Sequence, residues 1–278
     1  MQVSNHLVEK SFEFTVDKPN LLLRSEEINA LEEVSDYCKR IGEKIQYTDL
    51  IWDVYVEKDI SFADYLFGRK GKVREDDRRL IEEMLNKKWQ YADSDGGDEK
   101  ILISLGKYIN SKADMMEYLD YRRSLLSNLS DVQEYEEFMH SCFPNSCFAD
   151  NILKEMKNIE NFPQNAKEIT DNLSVLNDDA IELYRQYNTN LKKAMDILSA
   201  KLLECSPDPS HVEELYFPFM YEEQINGESV SREKLVACSP HLKLIHKGSN
   251  LRIYFWWCDA DIGEGKKVLI GRIGRHPY

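Results

Sequence analysis

No stretch of this chain approaches the roughly 18 consecutive apolar residues that a membrane-spanning helix needs. The start, MQVSNHLVEKSFEF, has no basic cluster followed by an apolar run. The sequence therefore reads as a cytoplasmic protein with no membrane partner. Clustered cysteines are missing too. Cys38, Cys142, Cys147, Cys205, Cys238 and Cys258 are scattered, and the closest pair, Cys142 and Cys147, has no nearby Cys or His to complete a metal set. Reduced, mostly buried thiols are expected. There is no Walker loop, HExxH or GxSxG, and GRIG is too short for a dinucleotide fingerprint. DADIGEGK starts like a calcium loop, but Ile270 stands where a bidentate Glu is needed, so it reads as a hairpin turn. Neither a metal nor a cofactor is implied. Internal repeats and low-complexity tracts are also lacking.

What is present is a core's worth of apolar residues and an uneven charge. With 42% apolar residues, 278 residues suffice for one large domain or two ordinary ones. The net charge of −14 argues against nucleic acid, which calls for a basic surface. The last forty residues depart from that balance. From Ser239 to Tyr278, seven Lys/Arg face three acids, giving +4 and leaving −18 for the remainder. Three of the six histidines, His241, His246 and His276, fall there as well.

Periodicity divides the chain at SPDPSH (206–211), whose two prolines cannot continue a helix. Ahead of it, Ile28, Leu31, Val34, Cys38 and Ile41 recur at helical spacing behind Ser25, and Leu80, Ile81, Met84, Leu85 and Trp89 form a second run. The stripe Ala180, Leu183, Tyr184, Tyr187, Leu191, Met195, Leu198 and Leu202 predicts one long helix over about 177–204. SFEFTV (11–16) and KILISL alternate as short strands do. GRKGKVR (68–74) reads as a solvated lead-in to a helix beginning near Glu75, with RNA contact as its other use. Beyond the prolines, ELYFPFMY, HLKLI, LRIYFWW and KKVLIGRI are short aromatic and branched runs between Gly, Ser, Asn and Asp, the pattern of an antiparallel sheet. Trp256 and Trp257, adjacent on a strand, face opposite ways. The fold class expected is α+β, with a mostly helical region at 1–140 and a small antiparallel-sheet domain at 141–278 whose sheet core spans 212–278.

The tail HLKLIHKGSNLRIYFWWCDADIGEGKKVLIGRIGRHPY carries a Lys-bearing strand, a Gly/Ser turn, an Arg-bearing strand with an aromatic partner, a variable turn, and an apolar strand running into Gly, basic residues and a Tyr. In that order of features it resembles the RelE/ParE toxin superfamily. The stretch from about residue 141, CFPNSCFADNILKEMKNIENFPQNAKEITDNL, would supply the short first strand and paired helices of that fold. Members are typically small and basic, whereas this chain is long and acidic with a further region ahead. The resemblance implies a metal-independent endoribonuclease that binds and cuts messenger RNA, usually on the ribosome, of a toxin–antitoxin or phage-defence type in a bacterium.

By the same resemblance Lys243, Arg252 and Arg275 surround the phosphate, and His276 or Tyr278 transfers protons or stacks on a base. His241, Lys247, Arg272 and Trp256 are the accompanying RNA-binding candidates. The chemistry suits the residue types: arginine's planar fork matches phosphate and histidine titrates near neutrality. Strand alternation alone would also leave such cations on a solvated face. The acidic region 1–140 would regulate or dock, holding an antitoxin or other protein partner, or restrain the basic tail. The rival function is a non-enzymatic protein–protein interaction module or structural subunit with the same fold.

Overall fold

The computed structural model describes residues 3–72, 74–92, 99–105, 114–201, 204–207, 212–225, 227–244 and 250–276. The chain forms two compact units, Met1–Arg122 and Arg123–Tyr278, so the division falls ahead of the expected 140. No helix among the described residues is long and apolar enough to cross a membrane.

The first unit is built on a parallel sheet. Its elements are β1 (Val3–Leu7), α1 (Ser25–Arg40), β2 (Ile45–Tyr47), the hairpin β3 (Tyr55–Glu57) and β4 (Ile60–Ser61), α2 (Phe62–Leu66), α3 (Glu75–Lys87), β5 (Trp89–Tyr91), β6 (Glu99–Ile103) and the start of α4 (Met115–Ser127). The strand order is β5-β2-β1-β6, and every neighbouring pair runs parallel. α1 follows the expected stripe, burying Ile28, Leu31, Val34 and Cys38, with Glu26 and Glu27 at its positive end and Lys39 and Arg40 in its last turn. α3 likewise starts at Glu75.

Three expectations change here. The mostly helical region is organised around a parallel sheet that was not expected, with four short strands making its core. Trp89 leaves the predicted helix and opens β5, where its indole Nε1 donates to Ser35 Oγ at 3.0 Å. SFEFTV forms no strand: Ser11 and Phe12 are consecutive and both buried, which a 3-10 turn allows and a strand exposed on one face does not. In open parallel sheets a ligand crevice opens where neighbours of one strand lead off to opposite sides. Here that place is beside β1, and the Arg24 guanidinium spans it, donating to Ser11 O at 2.6 Å, Leu105 O at 2.9 Å and Glu27 Oε2 at 2.7 Å.

The second unit contains α5 (Val132–Met139), β7 (Ser146–Phe148), α6 (Ile152–Met156), α7 (Phe162–Tyr187), α8 (Leu191–Lys201), β8 (Glu204–Ser206), β9 (Tyr216–Ile225), β10 (Glu228–Ala237), β11 (His241–Lys243), β12 (Leu251–Trp256) and β13 (Val268–Arg275). The long helix expected over 177–204 is two helices. α7 begins earlier, at Phe162 with Pro163 in its first turn, and ends at Tyr187; Asn190 Oδ1 then accepts from the Lys193 amide at 3.2 Å and starts α8. Lys201 reaches back to Asp179 at 2.6 Å, so the two helices run antiparallel.

A five-stranded sheet, ordered β7-β13-β12-β11-β8, is mixed rather than antiparallel, since β7 lies parallel to β13. Two of its strands, β7 and β8, come from outside 212–278. Within that range, β9 and β10 form a separate two-stranded ribbon instead. One face of the five-stranded sheet presents Leu242, Leu251, Ile253, Phe255 and Ile273, all buried. Trp257 shares it and stacks on Tyr184 of α7 at 6.2 Å. The opposite face receives the base of the ribbon, where Phe217, Phe219, Val236 and Cys238 pack on Tyr254 and Leu269 with Trp256 beside them.

A bulge sets the register of this face. Tyr254 lies opposite Arg272 but Phe255 lies opposite Ile270, so Gly271 is the extra residue. A Cβ there would run into the Phe217 ring and come within 2.9 Å of Cys238 Sγ. Gly271→Ala is therefore expected to cost about 1–3 kcal/mol of stability by overpacking, measured by denaturant unfolding; an unchanged midpoint would show that the ribbon base yields freely.

Candidate anion-binding face

The cross-strand register arranges the basic tail in two rows. In the first, Glu204 of β8 faces Lys243 of β11, Lys243 faces Arg252 of β12, and Arg252 faces Gly274 of β13. In the second, Ser206, His241, Tyr254 and Arg272 face one another in the same order. Because side chains alternate along a strand, both rows lie on one side of the sheet. His276 continues the same alternation past Gly274, with its amide bonded to Asn250 O at 2.7 Å. Its ring sits 6.2 Å from Tyr254 and 6.4 Å from His241.

Five of the nine candidates, Lys243, Arg252, His241, Arg272 and His276, are thus brought onto one face. Arg275 is not. It stands opposite Leu251, on the apolar side, and its guanidinium pairs with Glu160 at the strand end. Adjacent strand residues cannot share a face, so Arg275 and His276 could never have converged. Trp256 has the right side but packs against the ribbon. Lys247 and Tyr278 lie outside the described residues.

The face is graded in depth. Tyr254 is fully buried and His241 is 5% exposed, with His241 Nε2 3.3 Å from Ser206 Oγ. These form the floor. Lys243, Arg252 and His276 reach partly into solvent. Arg252 Nη1 donates to Leu251 O at 2.8 Å. Arg272 is held from the side by Glu155 of α6 at 2.8 Å and donates to Arg275 O at 2.9 Å.

Like charges facing each other across strands repel, and the Lys243–Arg252 pair is relieved by Glu204, whose carboxylate accepts from the Lys243 ammonium. That hydrogen bond holds the Glu204 carboxyl below its ordinary range against the opposing effect of burial, and the charges of Lys243, His241 and Arg252 add to it. The arrangement can hold an anion beside an imidazole.

Glu204, Ser206, Tyr254 and Glu155 were missed from sequence. Glu204 and Ser206 fell where a helix end and a proline break were read, while Tyr254 carried a signal in its position two residues after Arg252. Among the described residues, no three His, Cys, Asp or Glu side chains converge as a metal site would require. The cysteines are thiols outside any disulfide, with Cys38, Cys142, Cys205 and Cys238 buried. Burial pushes the Cys38 and Cys205 thiols up to about 12, leaving them inert as nucleophiles. In comparisons with known proteins, no family model, curated protein or solved structure matches the chain.

Proposed function

We propose that the second unit is a RelE-like RNA-binding module that cleaves messenger RNA without a metal, in a toxin–antitoxin or phage-defence setting. One observation carries the reading: the register gathers Lys243, Arg252 and His276 on one face of a single sheet, over a floor of His241 and Tyr254. The chain order supports it, since a short strand and packed helices precede the basic strands, as the family resemblance leads one to expect.

In this proposal Lys243 and Arg252 hold the scissile phosphate and stabilise the added charge of the pentacoordinate state. The neighbouring 2′-hydroxyl gives up its proton and attacks phosphorus, and the 5′-oxygen leaves carrying a proton. His276, the half-buried imidazole of the face, serves one of these transfers. Glu204 keeps Lys243 neutralised until phosphate displaces it.

RNA cleavage by the whole chain, with and without ribosomes, tests the proposal. Lys243→Ala combined with Arg252→Ala is expected to reduce cleavage by about 10²–10³-fold or more, the cost of removing one such donor. No cleavage by folded wild-type chain under either condition would sink it. A protein-binding role then takes its place, favoured by the exposed outer side of the ribbon, where Tyr216, Met220 and Leu235 stand in solvent.

A further inference from the structure

β2 and β5 end side by side at the carboxyl edge of the parallel sheet, with Tyr47 opposite Tyr91. The Tyr91 ring is 6.0 Å from Tyr47, Tyr47 is 6.2 Å from Trp52, and Trp52 is 5.5 Å from Phe67. These four rings form one continuous row. Its interior members, Tyr47 and Trp52, are half-buried, whereas Tyr91 is 44% and Phe67 75% exposed. A phenyl ring left three-quarters in water against an indole is not explained by the core.

Phe67 also opens the basic segment that the second unit's chemistry leaves unused. Arg69, Lys70, Lys72 and Arg74 follow it within one short loop and are all exposed. The loop is shaped by left-handed backbone at Arg69 and Gly71, with Gly71 close against Glu57. Two cations have carboxylate partners: Arg69 with Glu75 and Lys70 with Asp64, each at 2.7 Å. Both pairs are solvent-exposed, where ion pairs contribute little, so a phosphate can replace the carboxylate at small cost. Glu57 takes the Lys72 amide rather than its ammonium. Asp49, bonded to Tyr91 Oη, lies at the other end of the row, which makes the Phe67 end the cationic one.

Aromatic rings followed by cations whose carboxylate partners can be displaced match the alternation of base and phosphate in an unpaired strand. A duplex hides its base faces, and an apolar peptide has no use for four cations. We propose that the row Tyr91, Tyr47, Trp52, Phe67 and the loop cations Arg69, Lys70, Lys72 and Arg74 form a binding site for single-stranded nucleic acid in the first unit. The site is additional to the basic face of the second unit and does not depend on it.

The test uses the full chain carrying Lys243→Ala and Arg252→Ala, so that the other face is disabled. Fluorescence anisotropy is read with a short oligouridylate, its abasic counterpart and the matching oligodeoxythymidylate. Phe67→Ala is expected to weaken oligouridylate binding about tenfold, within the range for one stacked base, and Phe67→Trp to retain it. Lys72→Ala and Arg74→Ala should each flatten the dependence of log affinity on log salt by about 0.7. The abasic strand should bind weakly; preference for RNA over DNA would narrow the ligand to RNA, and equal binding would leave it as any single strand. If Phe67→Ala binds as the parent does, if the abasic strand binds equally well, or if the double variant binds nothing, the proposed site does not exist, and the reading of the second unit is untouched. Phe67-dependent binding by a chain whose wild-type form never cuts RNA would leave this site standing alone.

Discussion

His276→Ala is expected to slow RNA cleavage by about 10²- to 10⁴-fold, the range for a positioned acid or base, while leaving RNA affinity nearly unchanged. The expectation comes from where the ring sits. His241 shares its face but is buried in the floor beside Ser206 and Tyr254, so in the proposed reaction the more exposed His276 is the imidazole left to meet a ribose or leaving oxygen. In the proposed reaction phosphate affinity rests on Lys243 and Arg252, which the substitution does not touch. Single-turnover cleavage and equilibrium binding, measured on the same variant, separate the two roles. Equal losses of binding and cleavage would make His276 an anchor, and unchanged cleavage would remove it from the reaction.

The second large effect concerns stability. Arg122→Ala is expected to cost the first unit about 3 kcal/mol or more. The Arg122 side chain is fully buried and grips Glu43 with two hydrogen bonds of 2.8 Å. It also donates to Tyr118 Oη at 2.9 Å; that hydroxyl donates to Asn5 Oδ1 at 2.9 Å, and Asn5 Nδ2 returns to Glu43 at 2.7 Å. The ring of contacts ties α4 to β1 and to the segment after α1. Removing the cation leaves Glu43 without its main partner in a largely desolvated place, the situation that makes broken buried pairs costly. Tyr118→Phe removes one hydroxyl and should cost less, about 1–3 kcal/mol. Denaturant unfolding, with amide exchange of β1 to localise the loss, checks both; protection of β1 unaltered in Arg122→Ala would overturn the argument.

The same ring shows why the parallel sheet was hard to read in the sequence. β1 is VSNHL, and its buried Asn5 looks like a surface residue until Glu43 and Tyr118 are placed beside it, as buried Ser4 does until it is seen against His6. β2 and β5 have three residues each, too few to show any period. α1 and α3 were legible because their stripes are long. The two-helix break at 188–190 was not, since the apolar spacing runs on through it while only the polar Asn-Thr-Asn triplet marks the turn. In the basic face, Lys243 and Arg252 follow from simple alternation. Arg275 does not, because the adjacent His276 takes the other side. Glu204 belongs to a strand that looked like the tail of a helix.

The ribbon of β9 and β10 bears on how the second unit assembles. β8 and β11 pair Ser206 with His241, a contact between residues 35 apart in the chain. The ribbon pairs Tyr216 with Ala237 and folds back at Gly227, so most of that separation is spanned by residues already paired with one another. What remains is a short span at each end, with a correspondingly small loss of chain entropy. The ribbon thus shortens the loop that a non-local pairing has to close, and the strand that carries Lys243 is tied to its partner through a segment that lies outside the sheet it completes.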